Sequence, residues 1–256
     1  MNSKLIYDIG MHVGQDTKYY LKQGYNVLAI EANPVLVKEN EQKFEKEIQE
    51  GRLTILNVGI SDKEASLPFY VNMRLSEWSS FDMATGTRND TAYEVIEVPC
   101  ITTKRLFNDY GIPYYLKVDI EGYDHYCLLD IPEGGDKPQF VSCEAVHVEW
   151  LDILFQKGYR KFKLIHQGND FKPLDLELEK KTYFPKYQVI KNGLQIRLQK
   201  YIAFKHEYGS SGPFGNHTKG EWKSYEEIRD SYQAFYQNEK KEPLNPVSWF
   251  DFHASL

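Results

Sequence analysis

The sequence predicts an α/β protein with a mostly parallel sheet. Short apolar runs of strand length recur through the first two-thirds of the chain, and stretches of helix formers with caps separate them. Several runs also end in a glycine or an acid, the residues expected where a strand hands over to a loop at a ligand site. Such alternation means βαβ units with right-handed crossovers.

In order, Lys4–Ile9 is a buried-strand run closed by Gly10, and Gln15–Gln23 is a helix with Gly24 placed to end it. Asn26–Ala32 is a second apolar run. Asn33 then caps a helix with Pro34 at its first position, expected to run to about Glu50 before Gly51. Leu53–Val58 is a third strand; Ser66–Val71 and Ile96–Thr102 are additional strands or a hairpin. Thr103–Tyr110 is helical, Tyr114–Ile120 a fourth core strand and Phe140–Ala145 a fifth; His166 ends a sixth. After residue 168 the rhythm fails: 170–191 is charged and aromatic without a period, Ile196–Phe204 is strand-like, Gly209–Gly215 is a glycine-rich loop, and Tyr225–Glu239 is an amphipathic helix. The chain is therefore divided into a core, 1–168, and an extension, 169–256, packed on it as a lid.

Composition removes several classes. The 256 residues suffice for a large core without staples, and 27% charged with 41% hydrophobic residues is a globular balance. Cys100, Cys127 and Cys143 form no CxxC pair, so neither a zinc site nor a disulfide framework is expected, and a reducing, cytoplasmic setting fits. The net charge of −6 argues against a nucleic-acid partner. No apolar run reaches the roughly 18 residues of a membrane span. The seven histidines show no HxxH or HExxH spacing, so no protein-built metal site is expected. Nineteen Tyr, 14 Phe and four Trp are a surplus that core packing would mostly absorb, with Trp78, Phe81 and Phe214 set apart in loops expected at the rim of a ligand site.

The strand ends carry the chemistry. After the first run comes Asp8-Ile9-Gly10-Met11-His12-Val13-Gly14, and after the second, Glu31. A glycine-containing first turn followed about 20 residues later by an acid is the general signature of an adenosine cofactor, the acid accepting both ribose hydroxyls. His12 stands where a dinucleotide fingerprint needs its second glycine. The order D-x-G-x-x-x-G suits instead a ligand with an amino-acid tail, S-adenosylmethionine, whose ammonium Asp8 would hold; alternatively Gly10 and Gly14 only serve a tight turn. Asn57 and Val58 end the third run, where an adenine edge and face would lie. Asp119 and Glu121 close the fourth, and Lys117, Asp119 and Glu121 would share a face if the strand continued. Methyl transfer from a sulfonium needs a held geometry and, for a hydroxyl acceptor, a base. Asp119, Glu121 and His12 are the catalytic candidates, with Glu144 a further base within reach of the acceptor. Trp78, Ser80 and Phe81 lie in a loop suited to stacking on and hydrogen-bonding a sugar, or else to anchoring the loop.

Residues 4 to about 145 resemble the FkbM family of S-adenosylmethionine-dependent methyltransferases. The resemblance rests on Asp8-Ile9-Gly10 with Gly14 and Thr17, on Ile30-Glu31-Ala32-Asn33-Pro34, on Asn57-Val58-Gly59-Ile60-Ser61-Asp62, and on Lys117-Val118-Asp119-Ile120-Glu121-Gly122. It implies a Rossmann-like class I methyltransferase fold, a seven-stranded sheet whose final strand is antiparallel. It also adds Thr17 and Ala32 to the cofactor contacts. The chain departs from the family at Met11-His12, where Ala-Asn is usual. Trp78–Phe81, Gly158–Ile165 and Ser211–Gly215 resemble a bacterial subgroup. Members mostly methylate hydroxyls of small molecules, so the resemblance implies a sugar, glycan or metabolite acceptor, with a homodimer possible. Two other readings stand beside it: a NAD-dependent oxidoreductase, and a non-catalytic cofactor-binding protein with a decayed first turn.

Overall fold

The protein is described from a computed structural model over residues 1–167, 171–174, 206–207, 209–239 and 249–256. The main sheet has seven strands: β1 (Asn2–Ile9), β2 (Asn26–Ile30), β3 (Leu53–Leu56), β7 (Pro113–Val118), β8 (Phe140–Glu144), β9 (Lys161–His166) and β10 (Phe250–Ser255). Their order is β3-β2-β1-β7-β8-β10-β9. The first five pair in parallel, and β10 runs antiparallel to both neighbours. This is the Rossmann-like, class I methyltransferase arrangement, with the strand order reversing between β1 and β7. The extra strands β4 (Gly59–Ile60), β5 (Ala65–Asn72) and β6 (Tyr93–Ile101) form a separate three-stranded sheet, in which β5 and β6 are antiparallel neighbours.

Side-chain alternation divides the core into two. Tyr7, Ile9, Leu116, Val118, Val141 and Cys143 point to one face. There they meet α5 (Thr103–Tyr110), α6 (Asp124–Leu129), α7 (Val148–Gln156) and α8 (Tyr225–Glu239). Ile6, Ala29, Tyr115 and Phe140 point to the other, against Tyr19 and Tyr20 of α1 (Gln15–Lys22) and against Phe214. That second face also carries a polar row one residue wide: Asp8 pairs Lys117, Lys117 pairs Ser142, Ser142 pairs His253, and His253 pairs Lys163. All five are buried.

The local rules hold with two exceptions. Asn33 caps α2 (Pro34–Lys43) through Oδ1, which accepts Val35 N at 3.0 Å. Gly24, at φ +85°, follows α1 as expected. The helix expected to reach Glu50 instead breaks at Phe44, whose φ of −113° is not helical, and α3 (Glu45–Gln49) resumes beyond it. Phe44 turns inward to the core, and the break serves that burial. The strand expected over 114–120 stops at Val118. The strand-like stretch Ile196–Phe204 and most of 170–191 lie outside the described residues. The last strand of the main sheet falls beyond residue 168, so the division at that point crosses the sheet. Among the described residues, no helix is long and apolar enough to cross a membrane.

Candidate active site

A cavity of about 410 Å³ opens at the carboxyl ends of the strands, at the reversal in strand order. Gly10, His12, Glu31, Ala32 and Val58 line one side of it. Asp119, Ile120, Glu121 and Glu144 line the acidic end, and Trp78, Phe81 and Arg88 form the wall contributed by the loop between β5 and β6. Asp8, Gly14, Thr17, Asn57 and Ser80 are outside this lining.

The first turn is fixed by several bonds. Gly10 N and Met11 N both donate to Ile30 O at 3.0 Å. A Cβ on Gly10 would meet Asp119 O at 1.8 Å, so the glycine lets β1 and β7 close on each other. His12 has φ +50°, a conformation in which histidine is enriched among side-chain residues. Its N–H donates to Glu31 Oε2 at 2.8 Å, its carbonyl accepts from Asn40, and Nε2 hydrogen-bonds Ser76 Oγ at 2.7 Å. Burial lowers the His12 pKa, which keeps the ring neutral near pH 7. Glu31 Oε1 accepts Asn33 N at 2.9 Å, so each carboxylate oxygen takes one backbone donor and retains a lone pair toward the cavity. Burial raises its pKa against those two amides and Lys117.

The residues outside the lining hold it from behind. Asp8 is fully buried; its carboxylate accepts from Thr17 Oγ1 at 2.5 Å and lies 3.2 Å from Lys117 Nζ. It therefore meets a lysine where a ligand ammonium was expected. Gly14, at φ +77°, opens α1 and packs on Phe44 and Asn40. Asn57 Nδ2 donates to Glu31 O and Ala32 O, both at 3.0 Å, tying down the turn after β2. Ser80 Oγ donates to Glu121 O at 2.8 Å.

Lys117, 2% exposed, links the two halves: Nζ donates to Gly10 O at 2.7 Å and lies 3.5 Å from Asp119 Oδ2. Burial lowers its pKa, but Asp8, Asp119 and Asp16 outweigh that and raise it. Glu121 has φ +49°, so extended geometry ends before it and the shared face expected with Lys117 is lost. Its Oε2 accepts from Arg88 Nη2 at 2.7 Å, and that guanidinium lies 4.5 Å over the Trp78 ring. Burial pushes the Glu121 pKa up to about 7 despite Arg88. Burial likewise raises Asp124 to about 7, and Glu144 and Asp251 well above the ordinary range. No group of three or more His, Cys, Asp or Glu among the described residues is arranged to hold a metal ion.

Lys117, Arg88 and Asp251 were not read from the sequence as site residues. A lone lysine between apolar strand residues was the available signal for the first; nothing local marks the other two.

The loop expected as a lid divides in two. Phe214 is core, 2% exposed and stacked on Tyr115 with centroids 4.1 Å apart, and it does not line the cavity. Gly209 does line the cavity. The turn beside it is fastened to α1, because the Asp16 carboxylate accepts Ser210 Oγ at 2.5 Å and Ser211 N at 2.9 Å. Burial pushes the Asp16 pKa up to about 6.

The family described as "Methyltransferase FkbM domain" matches residues 8–185. The fold is similar to methyltransferase FkbM from Methylobacillus flagellatus KT (17% identity, TM-score 0.44, covering 64% of this chain and 40% of that one). This chain thus spans less than half the length of that relative. It is similar to a TehB-like SAM-dependent methyltransferase from Corynebacterium glutamicum (14% identity, TM-score 0.38, covering 69% and 76%). A third likeness is to StiE O-MT residues 942–1257 (11% identity, TM-score 0.40, covering 98% and 67%). No curated protein matches the chain.

Proposed function

Since the chain belongs to the FkbM methyltransferase family, we propose that it is an S-adenosylmethionine-dependent O-methyltransferase acting on a hydroxyl of a sugar, glycan or small metabolite. One observation carries the reading: a single cavity at the sheet's switch point is lined by the Glu31 carboxylate, by Asp119, Glu121 and Glu144, and by the rings of Trp78 and Phe81. The donor set fits the cofactor. Glu31 offers a lone pair on each oxygen for a ribose diol, and Val58 and Ile120 offer apolar faces for an adenine. The acidic end suits a sulfonium and an ammonium.

When bound, the cofactor supplies an electrophilic methyl. The chain's own residues do the rest. Gly10 and His12 set the path of the first turn, and Ala32 borders the ribose position. Asp8, Gly14, Thr17 and Asn57 act one layer back, holding that turn and the Glu31 turn in register. Asp119, tied to Lys117, would face the sulfonium and orient the incoming hydroxyl. Glu121, held by Arg88, accepts a hydrogen bond from the acceptor, and neutral His12 contributes shape through Ser76. Trp78 and Phe81 provide flat apolar surface for a sugar ring, with Ser80 bracing Glu121 behind it. The extension 169–256 contributes Gly209 to the rim as part of a lid; a cytoplasmic setting and a bacterial source complete the reading.

Incubation with labelled S-adenosylmethionine and a panel of glycans and hydroxylated metabolites tests this. Transfer to a hydroxyl is expected. Absence of binding heat with S-adenosylmethionine together with micromolar binding of NAD would overturn it. Asp119→Asn is expected to reduce transfer by roughly a hundredfold or more while weakening donor binding far less, read as separate kcat and Kd values.

A further inference from the structure

Glu144 and Asp251 are direct partners in the antiparallel β8–β10 ladder. Residues so paired put their side chains on one face, with Cβ atoms about 5 Å apart, and like charges there repel. Asp251 is 5% exposed and sits behind Glu144, which lines the cavity. Two carboxylates in that position cannot both ionise freely.

The surrounding charges sharpen the point. Asp119 lies 3.5 Å from Lys117, and Glu121 is bonded to Arg88 at 2.7 Å. A paired cation weakens a carboxylate's hold on a proton, and Arg88 limits the rise that burial gives Glu121. The charges that act on Glu144 are Glu121 and Asp119 from the β7 exit, Asp124 of α6 and Asp251 of β10, all acids. Asp251 in turn faces Asp119, Lys117, Asp16 of α1 and Asp124. The cavity carboxylate with the strongest hold on a proton is therefore Glu144.

We propose that Glu144 is the proton acceptor of the methyl transfer and that Asp251 is its positioning partner, the two sharing one proton in the resting protein. This rests on the O-methylation reading above. The pair then carries one negative charge spread over both carboxylates, and Glu144, which lines the cavity, can take up the second proton. In the reaction the acceptor O–H bond breaks and its proton passes to Glu144. The oxygen's electron pair forms the new bond to the methyl carbon, and the S–CH3 pair remains on the sulfur of the sulfonium donor. The pair is then neutral and returns one proton to solvent.

The test uses the full chain labelled with ¹³C at the Glu and Asp carboxyls, titrated by NMR, with Glu144→Gln supplying the assignment. Wild type is expected to show a Glu144 signal titrating above the ordinary carboxylate range. In Asp251→Asn that midpoint is expected to fall by about one pH unit or more as the repulsion is removed. A Glu144 signal that titrates with ordinary carboxylates, or that does not move in Asp251→Asn, overturns the pairing. Should Asp251→Asn not fold, the infrared band of a protonated carboxyl at neutral pH decides: present in wild type and altered in Glu144→Gln supports sharing, absent in wild type overturns it. Once an acceptor is in hand, Glu144→Gln is expected to slow transfer at least a hundredfold with donor binding within about twofold; transfer at the wild-type rate removes Glu144 as the base. Failure of wild type to bind S-adenosylmethionine would sink the functional reading instead, and the titration would still stand on its own.

Discussion

At the scale of single residues, buried charge organises the site. Asp8 is fully buried 3.2 Å from Lys117 Nζ, so Lys117→Met leaves it uncompensated and is expected to destabilise the protein by about 3–5 kcal/mol. The paired change Asp8→Asn with Lys117→Met is expected to recover most of that loss. Urea denaturation of both variants checks the two statements. Asp124 gives the opposite case. Burial raises its pKa from the usual 3.8 to about 7, so the folded chain holds a proton there that the unfolded chain has released. Its contribution to stability is therefore lost as pH climbs from about 4 to 7. Asp124→Asn is expected to stabilise the protein at pH 8 by a few kcal/mol, and the gain should vanish by about pH 4. Urea midpoints at the two pH values read it directly.

At the scale of elements, the strands and caps were legible because their signals are local. Asn33-Pro34, Gly24 and the apolar runs each specify a conformation without knowing the rest of the fold. Glu31 and Asp119 were legible for the same reason, since each follows a readable strand. What escaped was long-range. The ion pair of Asp8 with Lys117 joins residues 109 positions apart, and no local signal announces it. Phe214, in a glycine-rich stretch, looked like a lid residue because nothing in its neighbourhood announces Tyr115 and Tyr20. Its replacement supplies the check. Phe214→Ala is expected to lower stability by about 3–5 kcal/mol, as for a core aromatic, while an exposed lid residue would change it little. Thermal denaturation distinguishes the two.

At the scale of the whole molecule, the main sheet is completed by its last strand in sequence. β10 lies between β8 and β9, so residues 250–255 supply the partner of both. A chain ending at residue 248 is expected to lose cooperative unfolding, seen as a broad transition in circular dichroism with bound hydrophobic dye. The same placement has a consequence for biogenesis. Two features made before it must wait: β9 has no neighbour in the sheet, and Glu144 has no facing carboxylate, until those six residues leave the ribosome. The nascent chain can assemble β1, β2, β3, β7 and β8 as it emerges, but the proton-holding pair and the far edge of the sheet come into being together, once residues 250–255 have been made.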